Sequence, residues 1–297
     1  MIPRNDRGAG RPAVLAWSAV VVILLGVVGL VTYALTHVAT PATAEQTART
    51  SPGVLAALST VPASTFDAVG VSVPGAALTP PQPVTGPALT SQGKPDVLFV
   101  GAEYCPFCAA ERWPLIVALS RFGRFRVLHD ATSAPQSVFP STPTFSFVDN
   151  EYSSPYLTFT GVELYSDLIG ADGSFTRIAQ LTPAQSALIA RSTGAATLPG
   201  TVPFVDLGGR MFTTTSAFSP ALLAGQSQVQ IAGDLADPPT SSTAASTSGT
   251  SAPSTGRVVI AAANQLTAGI CLATGQRPAT VCQSKGVRAA ALADGTT

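Results

Sequence analysis

The chain has 297 residues, with 16 Lys+Arg against 16 Asp+Glu and a formal net charge of +0 at pH 7. No basic stripe breaks that balance, which argues against a nucleic-acid surface, and 2 histidines supply no convincing Ser/His/Asp hydrolase set. There is no internal repeat and no phosphate loop; Gly170-Ala-Asp-Gly-Ser174 reads as a turn.

Pro12 to Ala44 contains no Asp, Glu, Lys or Arg, and its apolar core runs from Ala13 to Leu35. At about 1.5 Å per residue that core reaches roughly 35 Å, enough to cross a hydrocarbon layer of about 30 Å. Arg4, Arg7 and Arg11 precede it against Asp6 alone, and the next basic residue is Arg49. The charge asymmetry predicts a single-pass anchor in the cell membrane, its N-terminus cytoplasmic and everything after about residue 40 extracytoplasmic. The rival is a cleaved signal peptide, because Ala42-Thr43-Ala44 resembles a cleavage site; the apolar run is longer than the roughly 7–15 residues of a signal peptide. Either way the rest of the chain works where disulfides persist.

The predicted elements follow in order. Pro41 to Thr50 is a spacer. Gly53 to Leu58 and Pro62 to Val69 read as short helices, the second capped by Ser64 or Thr65. Pro74 to Pro87 is Pro-rich and extended, wrapping the surface. Asp96 to Gly101 is a buried strand. Ala109 to Phe122 is a helix closed by Gly123 and kinked by Pro114. Arg124 to Ala131 is a second strand. Thr144 to Asp149 and Tyr156 to Leu164 form a hairpin. Thr182 to Ser192 is a helix with Thr182 as cap and Pro183 at its first position. Val202 to Leu207 and Arg210 to Thr214 form a hairpin across Gly208-Gly209. Ser219 to Leu235 is a helix. Pro238 to Gly256 holds only Ser, Thr, Ala, Pro, Gly and no charge, so it reads as a flexible insertion. Arg257 to Gly275 regains helical periodicity, with Val259, Ala262, Leu266 and Ile270 on one side, and needs a core to dock on. Strands alternating with helices give an α/β fold, a sheet flanked by helices. Trp113, Phe122 and Phe125 are expected to fill its core, and His129 to be a satisfied polar residue and not a ligand. The divisions are 1–11 cytoplasmic, 12–37 transmembrane, 38–92 juxtamembrane and extended, 93–237 the α/β domain, 238–256 the insertion and 257–297 a C-terminal helical tail.

Chemistry concentrates at Cys105-Pro106-Phe107-Cys108. The pair follows the buried strand and opens the helix, which puts Cys105 at a helix N-terminus. Free N–H groups and the positive end of the helix dipole stabilise a thiolate there. Cys108 lies one turn on, close enough to close a disulfide. Half a zinc site is the first alternative, but it needs a second tight ligand pair. Cys271 and Cys282 are separated from each other, and the only histidines are His37 and His129; no metal site is predicted. An inert structural disulfide is the second alternative. An even cysteine count outside the membrane leaves Cys271 and Cys282 to form a structural disulfide with each other, Gly275 ending the helix and Arg277-Pro278 turning the chain back. The competing pairing crosses over to the Cys105 pair.

Ala102-Glu-Tyr-Cys-Pro-Phe-Cys108 resembles the active-site segment of thioredoxin. The longer string from Phe99 to Trp113, continuing through Ala118 to Gly123, is similar to a membrane-anchored bacterial and archaeal family known as domain of unknown function 929. Thr142-Pro-Thr-Phe145, Val202-Pro-Phe-Val-Asp206 and Ala262 to Cys271 support that resemblance, over roughly residues 60–285. The resemblance implies a thioredoxin-like sheet and a cis proline facing the Cys pair, whose preceding residue offers backbone hydrogen bonds to substrate. Pro203, preceded by Val202, and Pro143 both match; Thr182 to Ser192 supplies the helix expected before Pro203 and favours it. Thioredoxin buries a carboxylate six residues before its first cysteine, where this chain has Phe99. Glu103 is then the candidate proton acceptor, although a residue so placed more often faces solvent. Tyr104 is a candidate substrate-contact aromatic.

The expected function is extracytoplasmic thiol–disulfide exchange with protein thiols or disulfides as partners and no cofactor. Cys105 attacks and Cys108 resolves. The alternative is a non-catalytic binding or scaffold domain whose Cys pair is a staple.

Overall fold

A computed structural model describes residues 48–194, 202–238 and 253–295. The predicted cytoplasmic segment and membrane helix, and most of the Ser/Thr-rich insertion, lie outside the described residues.

The fold starts from one strand. Lys94–Gly101 (β3) carries Val97, Leu98, Phe99 and Val100, each at most 1 % exposed. Because side chains alternate along a strand, Val97 and Phe99 enter one hydrophobic core and Leu98 and Val100 another. A strand buried on both faces also needs both edges paired. Before it come α1 (Pro52–Ser59), α2 (Ala63–Val69), β1 (Gln82–Pro83) and β2 (Thr90–Ser91). After it come α3 (Pro106–Ser120), β4 (Arg124–Thr132), β5 (Pro143–Ser153) and β6 (Thr158–Glu163). Next are β7 (Tyr165–Ile169), β8 (Phe175–Arg177), α4 (Pro183–Thr193), β9 (Phe204–Leu207) and β10 (Met211–Thr213). The chain ends with α5 (Gln228–Gly233), α6 (Thr255–Ala273), α7 (Ala279–Cys282) and α8 (Lys285–Ala293).

β3 pairs in parallel with β6 and antiparallel with β9 and β2, and the sheet continues from β9 to β10 and β1. The expected hairpin of Thr144 to Asp149 with Tyr156 to Leu164 is therefore wrong. β5 pairs antiparallel with β4, and the strand after it runs alongside β3. The demand of β3 for a second neighbour outweighs the local turn at Pro155.

Local signals set most helix ends. Thr182 and Gln185 form a reciprocal capping box and Gly194 closes α4 in the left-handed region. Ser51 caps α1. The cap expected for α2 does not form: Pro62 stands there, and Thr65 donates its hydroxyl to the Ala236 carbonyl instead. The helix expected over Ser219 to Leu235 is broken into a 3-10 turn at Pro220–Leu223 and the short α5. Gly225 between them has φ +72°, and Ser227 opens a new capping box with Gln230.

α3 packs on α6. Every residue of α3 from Cys108 to Leu119 is buried. Trp113 is 0 % exposed and its indole N–H donates to the Pro143 carbonyl at 2.9 Å, so burying a side chain of that kind brings roughly 1.5–3 kcal/mol at little polar cost. α6 is long and apolar enough to cross a membrane, but 83 % of it is buried inside the protein. It is a core helix: α3 covers one side, and α2 and α8 cover others. The described residues from 48 onward belong to one compact unit, in which α6 packs on α3.

Candidate functional site

β3 delivers the chain to the site and α3 carries it away. Gly101 ends the strand where a Cβ would lie 2.5 Å from the Phe99 ring and 3.4 Å from Cys108 Sγ; only glycine leaves room for both. Cys105 is the N-cap of α3 and Pro106 takes the first turn, where a missing N–H costs nothing. Cys105 Sγ accepts the Cys108 N–H at 3.3 Å. Its own thiol donates to the Val202 carbonyl at 3.5 Å. The Val202–Pro203 peptide is cis. Val202, Pro203 and Cys105 are thus brought together from positions 97 residues apart; Pro143, at the start of β5, instead accepts the Trp113 indole N–H through its carbonyl.

The two sulfurs are not joined to each other. Cys105 is 5 % exposed and Cys108 0 %. The two sulfurs thus differ little in exposure, and the Cys105 thiol is covered in part by its contact with the Val202 carbonyl. The electrostatic asymmetry is larger. The Cys105 thiol is lowered to about 7, first by a hydrogen bond from the Cys108 thiol, against the cost of burial, and then by backbone N–H groups and the Arg112 charge. Burial and the neighbouring Cys105 push Cys108 well above the ordinary thiol value.

Arg112 lies four residues after Cys108 and seven after Cys105, on the same helix face. It is 0 % exposed. Its Nε donates to Glu163 Oε1 at 3.0 Å and its Nη2 to Glu163 Oε2 at 2.6 Å. Nη2 also donates to the Ala102 carbonyl at 3.0 Å. Nη1 is buried without a partner. Neither Arg112 nor Glu163 was picked out by the sequence reading. The available signal was a Glu111-Arg112 pair inside an apolar helix, with Arg112 in register with both cysteines; Glu163, 51 residues away, gave none.

Glu103 does not face solvent. It is buried, and its carboxylate accepts from Ser146 Oγ on β5. Burial raises its pKa, opposed by that hydrogen bond. Tyr104 stacks on Phe175 with ring centroids 4.1 Å apart and meets Tyr165 edge-on, so the β7–β8 hairpin flanks the site. Phe107, 37 % exposed, packs edge-on to Phe139 on the other side.

Cys271 and Cys282 form a disulfide with Cα atoms 5.6 Å apart. It joins the end of α6 to α7 and borders a cavity of about 280 Å³ with Leu272, Val287 and Leu292. Among the described residues no three His, Cys, Asp or Glu gather as a metal site.

Residues 82–169 match the family described as "Domain of unknown function (DUF929)". The match takes in β1 to β7 and the Cys pair, a narrower stretch than the resemblance read from the sequence. No curated protein and no solved structure matches the chain.

Proposed function

We propose that the protein is a membrane-anchored, extracytoplasmic thiol–disulfide oxidoreductase with a thioredoxin-like domain, acting on protein thiols or disulfides. The observation that carries this reading is the setting of Cys105: a helix N-cap sulfur, hydrogen-bonded by Cys108 and facing the Val202 carbonyl. The charge pattern around Ala13 to Leu35 supports the anchor and the orientation.

Exchange at such a site is a pair of displacements. The Cys105 thiolate attacks one sulfur of a client disulfide; the client S–S bond breaks and the departing client thiolate takes a proton. Cys108 loses its proton and attacks Cys105 Sγ, the mixed disulfide breaks, and the second client thiolate leaves. The client gains two electrons and the Cys105–Cys108 pair loses them; counted from the Cys105 thiolate, the pair gives up the one proton of Cys108, one client sulfur is protonated and the other leaves as thiolate. Every step runs in reverse when client thiols meet the oxidised pair. The hydrogen bond to Val202 belongs to the protonated Cys105; on ionisation it is lost, while the donors from Cys108 remain. Phe107, Phe139 and Tyr104 give the surrounding rim an apolar character suited to client chain flanking the reacting sulfur.

The near-complete burial of both sulfurs favours one competing reading, a thioredoxin-like scaffold whose cysteines are a staple. Trapping separates the two. Cys108→Ser should accumulate mixed disulfides with extracytoplasmic proteins, and Cys105→Ser should not. If neither variant traps, or only Cys105→Ser does, the exchange reading or its assigned roles are wrong.

A further inference from the structure

We propose that Arg112 is a positioning residue that sets the direction of exchange, its guanidinium making the Cys105–Cys108 disulfide an oxidant of client thiols. This rests on the exchange reading above and adds a direction to it.

A closed disulfide carries no charge, whereas the reduced pair carries one negative charge once Cys105 ionises. A fixed cation beside the sulfurs stabilises the second state and leaves the first untouched. In a buried setting that attraction is weakly screened. Whatever stabilises the reduced pair makes the disulfide a stronger oxidant.

Arg112 has the attributes this requires. It projects from α3, the helix that holds both cysteines, and is 0 % exposed. Two bonds to Glu163 and one to the Ala102 carbonyl fix its guanidinium beneath the turn that leads to Cys105. One donor nitrogen is left without a partner. Its charge acts on both sulfurs in the direction that favours thiolate. β3 brings no counter-charge to this face, since Val97 and Phe99 are apolar. The ionisable groups around it include Glu163, paired with Arg112; Glu103, buried and hydrogen-bonded by Ser146; Asp167, whose charge acts on Glu103; Glu111, buried beside Arg112 on α3; and the phenols of Tyr104 and Tyr165.

Oxidation of a client then balances as follows. A client thiolate attacks Cys105 Sγ of the closed pair and Cys108 leaves as thiolate. A second client thiolate attacks the client sulfur of the mixed disulfide, and Cys105 leaves as thiolate. The client ends as a disulfide and the protein as a dithiol. A second disulfide compound accepts the two electrons that restore the pair; oxidised glutathione is the probe for that step.

The test equilibrates the full chain with reduced and oxidised glutathione and reads the fraction of reduced Cys105–Cys108. With reduced glutathione in large excess, the wild-type pair should stand mostly as dithiol; a disulfide that persists there overturns the proposal with no variant needed. Removing Arg112 alone would strand Glu163 in the interior, so the informative variant is Arg112→Gln with Glu163→Gln. The equilibrium should shift toward the disulfide by about tenfold or more, and the Cys105 thiolate should form at higher pH by about one unit. Arg112→Lys should keep both readings near wild type. A folded double variant with unchanged equilibrium and thiolate titration overturns the role of Arg112, even while Cys108→Ser still traps clients. Loss of trapping in that variant, by contrast, removes the exchange reading itself.

Discussion

The two cysteine pairs share an atom type and differ in everything around it. Cys105 and Cys108 straddle the first turn of a helix, three positions apart, beside a buried guanidinium. Cys271 and Cys282 close an 11-residue separation between the end of one helix and a short second one, with Leu272 and Val287 around them. Helix N–H groups and a cation stabilise a thiolate. An apolar wall at a helix C-terminus does the opposite and leaves the disulfide as the favoured state. Spacing alone does not separate an exchange pair from a staple; the local fields differ in the direction that the proposed exchange requires.

The sharpest way to break this contrast is to exchange the losses. Cys105→Ser should reduce disulfide exchange to the uncatalysed rate, measured as reduction or oxidation of a model client, while changing thermal stability little. Replacing Cys271 and Cys282 together by Ala should do the reverse. Exchange stays within a small factor at temperatures where the chain is folded, and stability falls by about 3 kcal/mol in chemical denaturation. If the second variant loses exchange in its folded state, the two pairs are not independent.

Glu111 sharpens the comparison, because it is a second buried ionisable side chain on α3, bonded to Ala217 instead of to β6. Its Oε2 accepts the Ala217 N–H at 2.7 Å and its Oε1 is buried without a partner. Burial raises this carboxyl from 4.5 to about 8, against the Ala217 hydrogen bond. The folded chain thus keeps a proton that the unfolded chain releases, and stability falls as pH rises across that window. Glu111→Gln keeps an acceptor for Ala217 and abolishes the titration. Relative to its effect near pH 4, it should stabilise by roughly 4 kcal/mol near pH 8, with the Cys105 titration unmoved. A uniform effect at both pH values contradicts the assignment.

The smallest effect is a remote control. Thr182→Ala removes one half of the α4 capping box and should cost about 1 kcal/mol with no change in exchange at saturating client. A change in exchange would mean that α4 reaches the site through Val202.

What the sequence made legible was local. The Cys pair, the cap of α4 and the Gly208-Gly209 turn announce themselves within a few residues, because caps and turns are satisfied by near neighbours. The partner of β5 and the parallel neighbour of β3 did not, since strand pairing is decided by distant burial. The periodicity of Arg257 to Gly275 suggested one buried side, but α6 is covered nearly all round because α2, α3 and α8 converge on it. The ion pair of Arg112 with Glu163 was invisible for the same reason. A carboxylate 51 residues away has meaning only once β6 lies beside β3. Of the site residues named in advance, Cys105, Val202 and Pro203 meet, whereas Glu103 turns to Ser146.

The central claim is that Cys105 is the reactive sulfur of an exchange pair. The most direct measurement is its thiolate absorbance across pH in the reduced full-length chain, taken as the difference from the oxidised chain. The account predicts a first ionisation near 7, well separated from that of Cys108, and alkylation at Cys105 following the same curve. A first ionisation near the ordinary thiol value of 9.0, with Cys105 no faster to alkylate than Cys108, would contradict it.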